Sequence, residues 1–199
     1  MEQKTKRERV VIGISGASGM AVAHYILKVL REKPEIETHL VVSESARLTI
    51  QTELNSSLQE LEDLADVVHD IHKMSASIAS GSFPVKGMIV VPCSMKTAAG
   101  IAGGYTDNLL LRAADCMIKE RRRLVLVVRE CPFSPIHLRN LTFLAECGVD
   151  ILPMVMTFYN GPQTIEDMVI HIASKALERL GIDSGSYRRW GDTIQEGLA

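Results

Sequence analysis

The residues able to do chemistry in this chain gather where its apolar runs end. Val10-Val11-Ile12-Gly13-Ile14 breaks into Ser15-Gly16-Ala17-Ser18-Gly19, Met88-Ile89-Val90-Val91 into Pro92-Cys93-Ser94-Met95-Lys96-Thr97, and Leu124 to Val128 into Arg129-Glu130. Glycines at 13, 16 and 19 let backbone approach a ligand closely, Ser15 and Ser18 offer hydroxyls, and amides at the start of a following helix point at an anion. The first turn therefore reads as a phosphate cradle, and the second duplicates it. Neither is a complete nucleotide motif: a dinucleotide fingerprint would also need glycine where the chain has Ile14, and no Gly-Lys-Ser/Thr follows to make a P-loop.

Lys96, Lys119, Lys175 and the pair Arg129-Glu130 add cations and one acid, enough for a pocket that takes one or two phosphates beside an apolar group. Such cations can neutralise a phosphate leaving group. Prenyl transfer often does this with magnesium on an aspartate-rich motif, but the chain has no Asp-Asp-x-x-Asp, so that chemistry would run on protein cations without a metal. The plainer reading of the three lysines is a solvated surface. Cys93 has no histidine near it in sequence and reads as a buried thiol rather than a nucleophile. His137, early in a helical pattern, reads as structural.

Turns of this kind need strands and helices to position them. Helical spacing runs from Met20 to Arg31 and stops before Pro34. Thr38 to Val42 is a strand, and Ser43 is placed to cap a helix through Thr52-Glu53. The pattern from Ser56 to Val68 is that of an amphipathic helix, and residues 69–86 have the composition of a long loop that borders the ligand. After the strand at 88–91 and its polar turn, Asp107 is placed to cap a helix over 108–119, and Leu124 to Val128 is a fourth strand. Ser134 starts a helix to about Cys147, Ile151-Leu152 is a short fifth strand, and Thr164-x-x-Asp167 opens a last helix through Leu180. Strands alternating with helices predict a parallel sheet wrapped on both faces, with the polar turns at the carboxyl ends of the strands, where such sheets bind ligands.

Composition sets the outer limits. A length of 199 residues with 46% hydrophobic and 23% charged residues suits one globular domain, and a net charge of -2 excludes a broad nucleic-acid or anionic-membrane surface. The basic run Lys119 to Arg123 is local. The four cysteines show no Cys-x-x-Cys spacing, three of them lie in apolar surroundings, and they read as reduced, buried thiols with no zinc site. Residues 1–9 are charged, lack an apolar signal region and read as a flexible N-terminus; no apolar run approaches the ~18 residues of a membrane span. A cytoplasmic protein with no membrane or nucleic-acid partner is expected.

Seven blocks taken in order carry a resemblance: Ser15 to Gly19, Ala79-Ser80-Gly81-Ser82-Phe83, Pro92 to Thr97, Asp107-Asn108-Leu109 with Arg112-Ala113-Ala114-Asp115, Lys119-Glu120-Arg121-Arg122, Arg129-Glu130-x-Pro132-Phe133-Ser134-x-Ile136-His137-Leu138-x-Asn140, and Arg189-Trp190. Together they resemble the UbiX/Pad-type flavin prenyltransferases, including the B components of bacterial hydroxyarylic (phenolic) acid decarboxylase systems. The resemblance implies an α/β fold with a single flavodoxin-like, doubly wound parallel sheet, and a homododecamer with sites at subunit interfaces. It also implies transfer of a dimethylallyl group from dimethylallyl phosphate to reduced FMN, closing a fourth ring, with the prenylated FMN passed to a UbiD-type decarboxylase. By motif, Gly16, Ala17, Ser18, Ser43, Ser94, Met95, Lys96, Thr97 and Arg129 hold FMN, while Tyr159 and Lys175 meet the prenyl phosphate. Arg112, Lys119 and Glu130 complete the phosphate side, with Glu130 as proton donor, and Glu53 matches a glutamate near the flavin. Some members have Arg where this chain has Lys175, a swap that keeps charge and gives up the bidentate fork. The segment after about residue 182 is expected to be an assembly arm. Two alternatives remain: an FMN-dependent cysteine decarboxylase, whose Pro-Ala-Ser-Ala-Asn-Thr motif is replaced here by Pro92 to Thr97, and a non-enzymatic flavin carrier or accessory subunit.

Overall fold

A computed structural model describes residues 7–54, 57–186 and 190. Six parallel strands form one sheet: β1 (Glu8–Ile14), β2 (Ile36–Val42), β3 (Val67–His69), β4 (Gly87–Cys93), β5 (Arg123–Val128) and β6 (Asp150–Pro153), in the order β3-β2-β1-β4-β5-β6. The helices are α1 (Met20–Arg31), α2 (Glu44–Glu53), α3 (Leu58–Glu62), α4 (Met95–Ala102), α5 (Leu109–Lys119), α6 (Pro135–Glu146) and α7 (Ile165–Arg179). Without the short edge strand β3, the order is the 2-1-3-4-5 of flavodoxin-like sheets, and the strand order reverses between β1 and β4. That reversal sets the turns after β1 and β4 side by side.

Strand period two explains how the sheet is covered on both faces. Val10, Ile12, Ile14, Ile89 and Val125 point into one apolar layer with α1 and α7, while Val11, Met88, Val90, Leu124 and Leu126 point into the other with α4, α5 and α6. Every one of these strand residues is essentially inaccessible to water. Helix starts are set by short polar side chains: Ser43, Ser57, Ser94, Asn108, Ser134 and Thr164 each accept a backbone N–H from the first turn. His137 completes the cap of α6, its ring nitrogen accepting from Ser134 N at 3.2 Å, so the structural reading of this histidine holds.

Several sequence expectations are corrected. The helix expected over 56–68 ends at Glu62; Ser56 lies outside the described residues. Beyond it Asp66 accepts Thr38 N and pairs with Arg7, and the β-branched Val67 and Val68 pair with β2 as β3. Leu64 and Ala65, which extended the apparent helical stripe, still pack on the core, so the burial was legible and the backbone was not. The cap of α5 is Asn108, whose side chain accepts Leu111 N at 3.0 Å, with Asp107 holding the Asn108 amide instead. Glu8 and Arg9 open β1, and Arg7 bonds Asp66 and the Ile36 carbonyl, so the expected flexible N-terminus does not extend over these three residues; residues 1–6 lie outside the described part. Only Cys93 and Cys116 are buried; Cys131 and Cys147 are exposed. The arm expected after residue 182 lies largely outside the described residues.

Candidate active site

The first turn is tied into the sheet by its own serine. Ser15 Oγ donates to the Pro92 carbonyl at 2.9 Å and accepts Ser94 N at 2.8 Å, which joins the turns after β1 and β4. The side chain is buried, so Ser15 positions the cradle and offers no hydroxyl to a ligand. At Gly16 a Cβ would lie 2.5 Å from Ser45 Oγ and 2.9 Å from the Ser45 backbone, so only glycine lets the start of α2 sit this close. Gly19 takes φ 115, a left-handed conformation, directly before α1.

The start of α1 already holds an anion, and it is the protein's own. Glu53 Oε2 accepts Gly19 N at 2.8 Å and Met20 N at 2.9 Å. Burial works against charge on Glu53, but hydrogen bonds from Ser18 and from the Met20 and Gly19 amides, with the field of Arg129, outweigh it and hold the carboxyl below its usual range. The expectation that the first helix turn presents its amides to a ligand is therefore corrected for these two. Ala17 N donates to the Ser15 carbonyl at 2.9 Å, and Ser18, exposed and hydrogen-bonded to Glu53, is where this turn is open to a phosphate.

Beside it, α2 and α4 begin at Ser43 and Ser94. Ser43 Oγ accepts Ala46 N at 3.3 Å, and Ser94 Oγ accepts Thr97 N at 3.3 Å and lies 3.1 Å from Thr97 Oγ1. A cavity of about 380 Å³ opens between these two helix starts, lined by Ser43, Ser45, Ser94, Lys96, Thr97 and Asn108 among others. Three serine hydroxyls, a threonine, a lysine and two helix N-termini around one cavity are a donor set suited to a phosphate-bearing cofactor such as FMN. Met95 is in the expected set, yet its side chain is buried in the core, which leaves only its backbone to face a ligand. Cys93 is wholly buried and burial pushes its thiol up to about 12, which excludes it as a nucleophile at neutral pH.

At the end of β5, Arg129 N bonds the Cys93 carbonyl at 3.1 Å, and Glu130 Oε1 accepts Cys131 N at 3.1 Å. The turn after β5 thus carries its cation and its acid to the edge where β1 and β4 end, and Arg129 lies close enough to Glu53 to lower its pKa.

The remaining expected residues lie elsewhere in the protomer. Helix α5 runs antiparallel to the strands, so Lys119 sits near Arg123, the first residue of β5, at the far edge of the sheet, roughly 17 Å from the β5 carboxyl end at 3.3 Å per residue. Lys119 donates to Glu120; Arg112 donates to the Ala79 carbonyl at 3.0 Å and to Asp115 at 2.6 Å. Lys175 pairs with Glu178 at 3.0 Å and lines a groove of about 420 Å³ along β6. Tyr159 packs its ring edge against His171, at 5.9 Å, and Trp190, at 5.0 Å. His171 and Lys175 are four residues apart on α7, so Tyr159 and Lys175 are brought to one side of that helix. Within one protomer the expected set forms three groups: the cradle with Glu53, Arg129 and Glu130; Arg112 with Lys119; and Tyr159 with Lys175. Ser45 and His171 are contacts that sequence reading passed over, although Ser45 is two residues beyond the cap Ser43 and His171 shares a helix face with Lys175.

A cradle joined to a switch point in a six-stranded parallel sheet defines a cofactor-binding α/β protein, and comparison with known proteins narrows the class. Residues 1–177 match the model of the Flavoprotein family. A probable UbiX-like flavin prenyltransferase of Sedimentibacter hydroxybenzoicus is 51% identical over 185 residues, 93% of this chain and 98% of that protein. The crystal structure of a dodecameric FMN-dependent UbiX-like decarboxylase of Escherichia coli O157:H7 superposes with TM-score 0.90 at 46% identity, covering 92% of this chain and 98% of that one. A UbiX protein solved in complex with FMN and dimethylallyl pyrophosphate gives TM-score 0.90 at 45% identity over 92% of this chain and 97% of its own. The chain belongs to the flavoprotein family and, within it, to the UbiX-like flavin prenyltransferases. A cysteine decarboxylase of thioviridamide biosynthesis, at 14% identity and TM-score 0.62, shares the fold alone.

Proposed function

We propose that this enzyme transfers a dimethylallyl group from dimethylallyl phosphate to reduced FMN, and that prenylated FMN is its product. The observation that carries the reading is the meeting, at one sheet edge, of a Ser/Gly cradle with an Arg-Glu pair, in a chain 45% identical over 92% of its length to a protein holding both FMN and a dimethylallyl donor. Gly16, Ala17, Ser18, Ser43, the backbone of Met95, Ser94, Lys96, Thr97 and Arg129 would hold FMN, which when reduced supplies the nucleophilic ring atoms. Glu53 fixes the start of α1 beside it. Glu130 gives its proton to the leaving phosphate oxygen as the allylic carbon–oxygen bond breaks, and Arg112, Lys119, Lys175 and Tyr159 hold that phosphate; cations alone would stabilise the charge without transferring a proton. No aspartate-rich magnesium motif is present in the sequence, so the protein cations take that part.

Because α5 carries Lys119 away from the cradle of its own protomer, and Arg112 is turned to the Ala79 carbonyl and Asp115, the site is completed between copies, in a dodecamer like that of the Escherichia coli relative. Residues 1–199 work as one flavoprotein domain, with the segment after about 182 as an assembly arm. The product serves a UbiD-type aromatic acid decarboxylase in the cytoplasm; four free cysteines and described helices too short or too polar to cross a membrane accord with that setting. The deciding experiment is mass analysis of the flavin after anaerobic incubation with reduced FMN and dimethylallyl phosphate. A gain of one dimethylallyl group is expected; unchanged FMN would make the chain a flavin carrier.

A further inference from the structure

Arg122 belongs to none of the roles above, yet it joins the exit turn of α5 to the loop before β4. Its guanidinium donates to the Phe83 carbonyl at 2.8 Å and to the Gly81 carbonyl at 2.7 Å. Two residues earlier in the loop, the Ala79 carbonyl accepts Arg112 Nε at 3.0 Å. Three alternate carbonyls, 79, 81 and 83, are thus held by two arginines of one helix and its exit turn. The exit turn bears a cost for this: Arg121 sits at φ 54, in the left-handed region where glycine is usual after a helix, and this lets Arg122 N bond back to the Met117 carbonyl at 2.8 Å. The Phe83 ring is fixed from the other side, under the Arg9 guanidinium at 4.5 Å and edge-on to His39 at 5.3 Å. Between the pinned carbonyls, Gly81 lies directly on the end of Lys119: a Cβ there would come within 2.5 Å of the ammonium nitrogen and would also overlap the Glu120 carboxylate.

We propose that Arg122 is a positioning residue for the prenyl-phosphate cations: its fork holds the 79–83 loop so that Gly81 sets where the Lys119 ammonium stands and Ala79 sets the Arg112 guanidinium. The inference rests on the assignment of Arg112 and Lys119 to the phosphate. A lysine at 122 would keep the charge and lose the fork. A methyl at 81 meets only the far ends of two flexible side chains, so it displaces the ammonium without disturbing the backbone.

Both variants, Arg122→Lys and Gly81→Ala, are therefore expected to raise the KM for dimethylallyl phosphate about 10-fold, the effect of one misplaced charge-assisted hydrogen bond, with flavin content and kcat within about twofold of the parent. Lys119→Ala is measured beside them. If Lys119→Ala raises KM and the two variants leave it unchanged, the positioning role is overturned while the site assignment stands. If Lys119→Ala has no effect on KM, the assignment falls and the inference with it. Loss of flavin together with kcat in Arg122→Lys would mark a purely structural arginine and also overturn the proposal.

Discussion

The cradle at the carboxyl edge of the sheet and the cations borne on α5 and α7 are built by opposite rules. At the carboxyl edge, polar groups are tied to one another by fixed hydrogen bonds: Ser15 bridges two turns, Glu53 caps α1, and Ser43 and Ser94 cap α2 and α4. The cations assigned to the prenyl phosphate are instead held on helix surfaces beside acids of their own segment, Arg112 with Asp115, Lys119 with Glu120 and Lys175 with Glu178, all partly exposed. Exposed pairs of this kind contribute only about 0–1 kcal/mol, so a phosphate can replace the carboxylate with little loss. The cradle is therefore preorganised inside one protomer, whereas the cations stand in exposed pairs with local carboxylates.

Breaking the preorganised side has the largest expected effect. Ser18→Lys puts a long side chain into the segment left for phosphate and is expected to yield a folded protein with essentially no flavin, read from absorbance per chain after purification. Flavin retained at the parental level would remove Gly16–Ser18 from the cradle. Next in size is Glu130→Gln, which keeps shape and removes the proton: single-turnover formation of prenylated FMN should slow at least ~100-fold with FMN binding intact. A parental rate would exclude Glu130 as the acid.

The exchangeable side should answer more gently. Lys175→Ala is expected to raise the KM for dimethylallyl phosphate about 10-fold, in line with the roughly 1.5 kcal/mol of a hydrogen bond to a charged group, and Lys175→Arg should recover most of it. A kcat defect without a KM change would move Lys175 out of the phosphate contact.

A smaller effect is expected from the histidines on β2 and β3. Burial first, then His39 and Lys73, lower His69 from 6.5 to about 4, so the folded protein keeps it neutral where the unfolded chain binds a proton. Its contribution is present above pH 6.5 and is lost as pH falls toward 4; His69→Gln should flatten the stability profile between those values, which thermal melts across pH will test. Least of all is expected from EDTA: with protein cations proposed to carry the leaving group, turnover should be unchanged. A requirement for added magnesium would settle the matter in favour of a metal.

Much of this fold was legible in the sequence, because its signals are local. Apolar runs of two to five residues read as strands, Ser43, Ser134 and Thr164 read as helix starts and are caps, the polar turn 92–97 opens a helix whose cap is Ser94, and the helices α1, α6 and α7 begin where their first turns bond their own caps or glycine. The two turns flanking the switch point followed from the same pattern, and so did the choice of residues at the sheet's carboxyl edge. Local spacing could not separate Leu64-Ala65 from a helix, since both conformations bury them, and only pairing of Val67 to His69 with β2 made that segment a strand. Nor could it tell what each hydroxyl meets: Ser15 and Ser18 look alike in the chain, but Pro92 and Ser94, some 77 and 79 positions away, turn Ser15 into a buried tie, while Ser18 stays exposed on the Glu53 carboxylate. Likewise Glu53 reaches the start of α1 only because α2 folds back across it, and Gly81 meets Lys119 only because a loop lies on α5. Caps and alternation are set within a few residues by backbone hydrogen bonding and burial; the partners of a polar side chain are chosen by whatever the packed layers bring beside it.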